Sequence, residues 1–271
     1  MAGHCATSSL QQNSASSSQR PSGCNAVQCE KSETVSTRLW RDRWRYMRSE
    51  SARTNLGLPK ADWHRYHLQI LFVDRTDTVR ARVATGLFER VAEWNGYGRA
   101  LYPSAAGVDA EGGAPNVATT ASLLSMAGML GIRAKIFAAQ RERFDYDDFD
   151  RHDIIVAMDD SVLEDILGIA GGPSDKAWYA PRCTTLTAFS RYCGGLILRG
   201  GGSGVLEPEL RAIVAPVLQR ACNAAGISRP NLGSGPEEWN MMVEDIVVAC
   251  AGLVQYLADA YPPDLPEYDP V

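Results

Sequence analysis

The fold is decided by residues 68–91, which read LQILFVDRTDTVRARVATGLFERV. The apolar run from Leu68 to Val73 predicts a buried strand, and a polar loop follows it. Beyond the loop, apolar residues repeat every three or four positions, which predicts a helix. These residues are Val83, Ala84, Leu87, Phe88 and Val91. Strand, loop and helix form one β–α unit, and in such units ligands bind at the loop after the strand.

Further β–α units are predicted outward from this one. The predicted strands are residues 68–73, 100–102, 153–157 and 184–189. The main predicted helices are residues 117–130, 161–167 and 237–258. Short buried strands alternating with helices are typical of parallel sheets. The predicted fold class is therefore α/β, a four-stranded parallel sheet with helices on both faces, plus an N-terminal extension and an internal helical insertion.

The composition of the 271 residues excludes several classes of protein. With 45% hydrophobic residues, 22% charged residues and a net charge of −5, the chain does not fit a general nucleic-acid-binding protein. Its seven cysteines form no C-x-x-C pair, so neither a disulfide scaffold nor a zinc ribbon is expected. No other metal site and no cofactor are expected either. No uninterrupted apolar run reaches the roughly 18 residues of a membrane span, so no transmembrane segment is expected.

The chain divides into four predicted regions. Residues 1–33 are Ser-rich, and the first 29 lack Asp and Glu, which predicts a disordered tail or a chloroplast transit peptide. Without such a peptide the protein would be cytoplasmic. Residues 34–65 form a basic aromatic helix and a linker. Residues 66–260 form the α/β domain, with an insertion at 194–226, and residues 261–271 form a Pro-rich tail.

The basic aromatic helix is a candidate partner-binding element. Its candidate binding residues are Arg38, Trp40, Arg41, Trp44, Arg45 and Arg48. Aromatic anchors with an arginine-rich flank fit a protein groove, an anionic membrane surface or RNA. The alternative is that the tryptophans pack on the protein's own core and the arginines are solvated.

The order of several motifs resembles the low-molecular-weight protein tyrosine phosphatases, in the style of plant and cyanobacterial members. These motifs are the frame from Leu71 through Arg80 to Phe88, the pair Ala106-Gly107, the stretch 148–161 (DFDRHDIIVAMDDS), and residues 235–253. The resemblance implies the phosphotyrosine phosphatase I-like fold. It also implies a phosphate-cradling loop between the first strand and the first helix.

The chain departs from that family where its chemistry resides, so it reads as a degenerate member. The resemblance places Asp74 at the position of the nucleophilic cysteine, Asp77 at that of the Asn that braces the loop, and Arg80 at that of the phosphate-binding arginine. The family's general acid falls on Arg229 or Pro230, and neither side chain can protonate a leaving group at neutral pH. No catalytic residue is therefore expected, and Arg80 is only a weak anion-binding candidate.

Other interpretations of the loop remain open. Asp74 could act as an aspartyl nucleophile with Mg²⁺, as in haloacid-dehalogenase-type phosphatases, although the i, i+3 spacing to Asp77 differs from their i, i+2 spacing. The favoured alternative is a structural loop held shut by internal ion pairs and helix-cap contacts.

In the insertion, a helix is predicted at 208–225, kinked at Pro216. It either covers a sheet edge or forms a docking surface.

The functional expectation is a catalytically inactive phosphatase-like protein that serves as a structural or regulatory subunit, with protein partners in a larger complex. The alternatives are a residual phosphatase or hydrolase that uses an aspartate, and a non-catalytic phosphate or phosphopeptide binder that uses Arg80.

Overall fold

The computed structural model describes residues 35–63, 66–114, 117–192, 204–231 and 233–265. The strands are β1 Leu68–Asp74, β2 Leu101–Gly107, β3 Ile154–Ala157 and β4 Cys183–Thr185. The helices are α1 Val35–Leu56, α2 Arg80–Trp94, α3 Val117–Leu130, α4 Lys135–Ala138, α5 Asp148–Arg151, α6 Asp160–Ile169, α7 Pro173–Tyr179, α8 Pro208–Val214, α9 Leu218–Ala221 and α10 Pro236–Asp259. Short 3₁₀ turns flank β4 at Ala180–Arg182 and Leu186–Phe189.

The four strands form one parallel sheet in the order β2-β1-β3-β4. β1 pairs with β2 on one side and with β3 on the other, so the strand order switches direction at β1. A ligand crevice in such a sheet lies outside the carboxyl ends of the strands at that switch. The predicted α/β fold class is confirmed, and the loop after β1 occupies the predicted position.

Both faces of the sheet are covered, as the side chains of β1 show, because alternate residues of this strand are buried in two different cores. Leu68, Ile70 and Phe72 point into the larger core, which α2 and α10 cover. Leu71 and Val73 point into a smaller core on the other face, beneath α6 and α7. Successive side chains of a strand point to opposite faces, so a strand buried on both faces reads as a continuous apolar run.

α10 is the central helix of the larger core. It is also long and apolar enough to cross a membrane, although 78% of that stretch is buried inside the protein. Glu244 and Asp245 interrupt its apolar sequence, so this helix is not an uninterrupted apolar run, and the absence of a transmembrane segment stays a prediction. A buried core helix has the same composition as a membrane span, and the packing of α10 fits the former.

The core begins before residue 66, the predicted domain boundary. Leu58 and Trp63, in the segment after α1, are buried in the larger core. The Tyr256 hydroxyl of α10 donates to the Pro59 carbonyl at 2.6 Å, and the Trp63 and Tyr261 rings pack edge to face. The predicted linker is thus partly core.

Three predicted elements differ from the structure. The second strand was expected at 100–102, but β2 continues to Gly107 and pairs with β1 along its whole length, because Pro103 and the small residues after it give little strand signal in the sequence. The fourth strand was expected at 184–189, but it ends at Thr185 and Leu186–Phe189 is a 3₁₀ turn that packs against α10. The insertion helix expected at 208–225 is two helices, α8 and α9, separated around Pro216, because proline cannot continue the helical hydrogen bonding. The predicted tail 1–33, the glycine-rich part of the insertion (194–203) and residues 266–271 lie outside the described residues.

Candidate functional site

The candidate site lies where β1 and β3 end side by side. β1 ends at Asp74, and Asp159 follows β3 by two residues. Asp159 is also the N-cap of α6, where its Oδ1 accepts hydrogen bonds from the Val162 amide at 3.0 Å and the Ser161 hydroxyl at 2.7 Å. Parallel pairing of the two strands therefore places two carboxylates at one edge of the sheet.

Arg80, the first residue of α2, binds the Asp74 carboxylate. Its Nε lies 3.1 and 3.2 Å from the two oxygens of Asp74, and its Nη2 also donates to Oδ1. Both side chains are buried, and Arg80 is only 2% exposed. Asp74 therefore occupies the guanidinium face that a phosphate would need.

Two further groups complete the surroundings of Arg80. Nη2 lies 2.8 Å from Oδ2 of Asp159, and Nη1 donates to the Ile227 carbonyl at 2.8 Å. Burial lowers the pKa of the Arg80 guanidinium, but its bonds to Asp74 and Asp159 outweigh burial and raise it above its ordinary value. Arg80 is therefore a fixed cation held by two carboxylates and a carbonyl.

The Asp159 carboxyl is held in its ionised form. Burial raises the pKa of this carboxyl, but hydrogen bonds from Ser161, Val162 and Arg80 outweigh burial and lower the pKa to about 2. At neutral pH Asp159 is an anion, and it cannot supply a proton to a leaving group.

Arg229 lies at the mouth of the site. Its Nη2 is 3.6 Å from Oδ1 of Asp74 and 3.9 Å from Oδ2 of Asp159, and the side chain is half-exposed. With Pro230 and Trp239 it lines an open depression of about 380 Å³ above the buried Asp74–Arg80 pair. Asp74, Asp159, Arg80 and Arg229 together carry two negative and two positive charges, so their formal charges cancel.

Asp77 belongs to a second, separate ion pair. Arg82 donates to its carboxylate from Nη2 at 2.8 Å and from Nε at 3.1 Å, and the Glu142 amide donates to it at 2.9 Å. Burial is the largest influence on Asp77 and raises the pKa of its carboxyl, although Arg82 opposes this. Asp77 and Arg80 therefore belong to two different ion pairs of the loop, Asp77 with Arg82 and Arg80 with Asp74.

The loop has internal ion pairs but no side-chain helix cap. The N-cap position of α2 is Val79, which makes no capping hydrogen bond. Asp77 adopts a left-handed backbone with φ of 48°, and a Cβ on Gly107 would lie 2.5 Å from the Asp77 amide nitrogen. Close packing on β2 and the two ion pairs therefore hold the loop, and the expected cap contact at α2 is not found.

The candidate partner-binding residues lie on two sides of α1. Trp40 and Trp44 are exposed. Arg38, Arg41 and Arg45 line a depression of about 480 Å³ beside the segment that follows α10. Arg48 turns inward: it lies 3.7 Å from Asp259 and its guanidinium stacks on the Tyr192 ring.

No group of three or more His, Cys, Asp or Glu side chains suited to a metal ion occurs among the described residues.

Two components of the site were not identified from the sequence, Asp159 and the Ile227 carbonyl. Asp159 had a usable signal, since it follows a predicted strand and precedes a predicted helix. Ile227 had none, because a backbone carbonyl leaves no trace in a sequence.

Comparison with known proteins shows what part of this chain resembles. Residues 69–178 match the family model of low molecular weight phosphotyrosine protein phosphatase. No curated protein matches the chain. Similar solved structures include YfkJ from Bacillus subtilis, with 16% identity, a TM-score of 0.49, and coverage of 70% of this chain and 94% of that one.

Two other solved structures are similar. A protein tyrosine phosphatase from Entamoeba histolytica has 14% identity, a TM-score of 0.48, and coverage of 69% of this chain and 93% of that one. A low molecular weight protein tyrosine phosphatase from T. tengcongensis has 19% identity, a TM-score of 0.46, and coverage of 69% and 97%. The resemblance predicted from the motifs is confirmed by the family model: residues 69–178, from β1 into α7, carry the low-molecular-weight phosphotyrosine protein phosphatase pattern.

Proposed function

We propose that the protein is a catalytically inactive member of this phosphatase-like group and acts as a structural or regulatory subunit of a larger assembly. The observation that carries the proposal is the buried pair between Asp74 and Arg80. In the family pattern these two positions hold the nucleophile and the phosphate-binding arginine. Here they neutralise each other.

Electrostatics oppose a phosphate in this loop. A carboxylate about 4 Å from one phosphate charge costs roughly 4 kcal/mol at an effective dielectric constant near 20. Asp159 adds a second anion on the same guanidinium, 2.8 Å from Nη2. The same occupancy argues against a phosphate or phosphopeptide reader built on Arg80, because that side chain has no free face.

The nucleophile has no substitute among the described cysteines. Cys183, Cys222 and Cys250 lie in β4, after α9 and inside α10, and each lies outside the loop between β1 and α2. Burial raises the pKa of all three thiols, and that of Cys183 reaches about 12. They are thiols at neutral pH, whereas attack on phosphorus needs a thiolate.

The general acid is missing as well. Arg229, which the resemblance places at or beside the acid position, reaches the site and adds a positive charge there. A guanidinium remains protonated at every physiological pH, so it stabilises the two carboxylates and transfers no proton. The mouth of the depression thus reinforces the ion-pair network below it.

Hydrolysis of p-nitrophenyl phosphate by the purified full chain tests the first half of the proposal. We expect no turnover above buffer, with or without Mg²⁺, and no difference between the natural chain and Asp74→Ala. An active low-molecular-weight phosphatase at the same concentration is the positive control. Turnover that disappears in Asp74→Ala would overturn the proposal, and dependence on Mg²⁺ would identify an aspartyl mechanism.

The second half is tested by the size of the native protein. We expect it to elute from a gentle extract of its source cells well above the 29.5 kDa of the free chain. Elution as a 29.5 kDa monomer would contradict a subunit role. The chloroplast location stays a prediction, which a fluorescent fusion of the full chain tests.

A further inference from the structure

The outer face of α1 carries an apolar stripe that the protein's own fold does not use. Trp40, Trp44 and Met47 are spaced i, i+4 and i+7, so they lie on one face of the helix. Their exposed fractions are 72%, 54% and 62%. We call these three residues the outer stripe. Large apolar side chains exposed together mark an interaction site more often than scattered ones do.

The side of α1 that faces the domain, its inner face, holds the helix in place. Ser49, opposite the stripe, is buried there. Arg48, one turn after Trp44 and beside the stripe, reaches inward: its Nη2 lies 3.7 Å from Oδ2 of Asp259, and its guanidinium lies over the Tyr192 ring, 5.2 Å from the centroid. Asp259 in turn accepts a hydrogen bond from the Tyr192 hydroxyl at 2.6 Å. α1 is therefore positioned by its inner face, and the outer stripe is held in a fixed orientation toward solvent.

The charge of α1 is opposite to that of the rest of the chain. The helix has six arginines and two acidic residues, a net charge of +4, while the chain as a whole carries −5, which leaves −9 for the remainder. Arg43 lies within the stripe, three residues after Trp40 and four before Met47. It is exposed, and no ion pair of Arg43 occurs in the part of the chain that the structure describes.

We propose that the outer stripe docks into an apolar groove of a partner protein whose rim places a carboxylate opposite Arg43. Anchors at i, i+4 and i+7 are the pattern of a helix bound in a groove. Tryptophan and arginine are also the residues most enriched among those that dominate binding energy at protein interfaces. This inference rests on the proposed subunit role and names the surface that serves it.

The same features fit a lipid surface less well. An anionic membrane would attract the arginines near its surface by about 1 kcal/mol each. Arg43, however, lies in the middle of the stripe. It would interrupt the apolar face that a membrane helix needs to bury. The negative remainder of the chain would also be repelled by anionic headgroups. A groove with one matched carboxylate has neither disadvantage.

The experiment places a photoreactive benzophenone side chain at Ser51, an exposed position one turn beyond Met47 on the same face. The full chain is irradiated in an extract of its source cells, and the attached peptide is identified by mass spectrometry. That protein is then purified, and its affinity for the full chain is measured by calorimetry. We expect Trp44→Ala and Arg43→Glu each to weaken binding at least tenfold.

Two controls make the result specific. Trp178→Ala, the same substitution at another exposed tryptophan (68% exposed), should leave the affinity unchanged. Replacing the partner's carboxylate by lysine should restore the binding of Arg43→Glu. Failure of this charge exchange, or equal losses in Trp178→Ala and Trp44→Ala, would overturn the proposal.

Three other outcomes would also overturn it: cross-links only between copies of the chain, no cross-link to another protein, or Trp44-dependent recruitment to vesicles containing phosphatidylglycerol. Each is distinguishable from failure of the proposed function. Phosphatase turnover would overturn the proposal of an inactive enzyme and would leave a measured groove interaction intact. Failure of the groove interaction would leave the expected absence of turnover unaffected, because that expectation rests on the Asp74–Arg80 pair.

Discussion

Asp77 and Arg82 form a buried side-on ion pair, with Nη2 2.8 Å from Oδ2 and Nε 3.1 Å from Oδ1. The same guanidinium donates to the carbonyls of Ile136, Ala139 and Gln140, in and just after α4. This one arginine therefore joins the loop after β1 to a segment more than fifty residues away. It fixes a loop in which the α2 N-terminus has no side-chain cap.

Asp77→Asn should destabilise the protein strongly. Removing one partner of a buried ion pair leaves an unpaired buried charge, which typically costs about 3–5 kcal/mol in the free energy of unfolding. Urea denaturation measures this loss. Asp147→Asn, which removes the partner of Arg151 in an exposed pair, should cost under about 0.5 kcal/mol. Similar losses in both variants would contradict a special role for the buried pair.

Gly107→Ala should also destabilise the protein, because the new Cβ would lie 2.5 Å from the Asp77 amide nitrogen and 2.7 Å from the Thr76 carbonyl carbon. Both are backbone atoms that cannot rotate away, and overpacking of this kind costs about 1–3 kcal/mol. Gly168→Ala in α6, where no atom lies within 4 Å of the new Cβ, should be neutral or slightly stabilising. Thermal unfolding of the two variants makes the comparison. An unchanged melting temperature for Gly107→Ala would show that the loop is not packed on β2.

The pH dependence of stability should reveal Asp159. Its pKa falls from 3.8 to about 2 in the folded protein, so its stabilising contribution is complete above about pH 4 and is lost as the pH falls toward 2. Asp159→Asn should therefore flatten the unfolding free energy between pH 4 and 2. Asp160→Asn, at the adjacent exposed position, should leave the slope unchanged. Equal slopes in the natural chain and Asp159→Asn would refute this assignment.

Asp74→Ala should create an anion site that the natural chain lacks. Removing this carboxylate exposes one face of Arg80 and leaves Arg229 nearby, which changes the formal charge of the four-residue network from 0 to +1. Millimolar phosphate should then raise the melting temperature of the variant by a few degrees through preferential binding to the folded state. The natural chain and the double variant Asp74→Ala/Arg80→Met should not respond. A response of equal size in the natural chain would mean that Arg80 is already accessible.

Much of the fold could be predicted from periodicity. The predicted α3 matches Val117–Leu130, and α10 differs from its prediction by one residue at each end, because long helices with a regular apolar face give strong signals. β4 is shorter than predicted because an apolar run bent into a 3₁₀ turn looks like a strand continuation. Leu58 and Trp63 were assigned to a linker because isolated apolar residues show no period.

The site was only partly predictable. Internal ion pairs in the loop were anticipated, and Asp74 with Arg80 forms one. Sequence alone could not decide that Arg80 would bind Asp74 while Asp77 binds Arg82, because both acids lie within reach of both arginines along the chain. Neither could it bring Arg229 to Asp74, since that contact depends on how residues 227–231 pass over the sheet edge.

The bond from Arg80 to the Ile227 carbonyl joins residues 147 positions apart. During synthesis Arg80 leaves the ribosome long before its carbonyl acceptor does. The bond can form only after residue 227 has been synthesised, so the surroundings of Arg80 are completed only when the C-terminal part of the chain packs on the sheet edge. In a chain truncated before residue 227, the Arg80 guanidinium would lack one of its acceptors. Cellular quality control would recognise such a chain as incompletely folded.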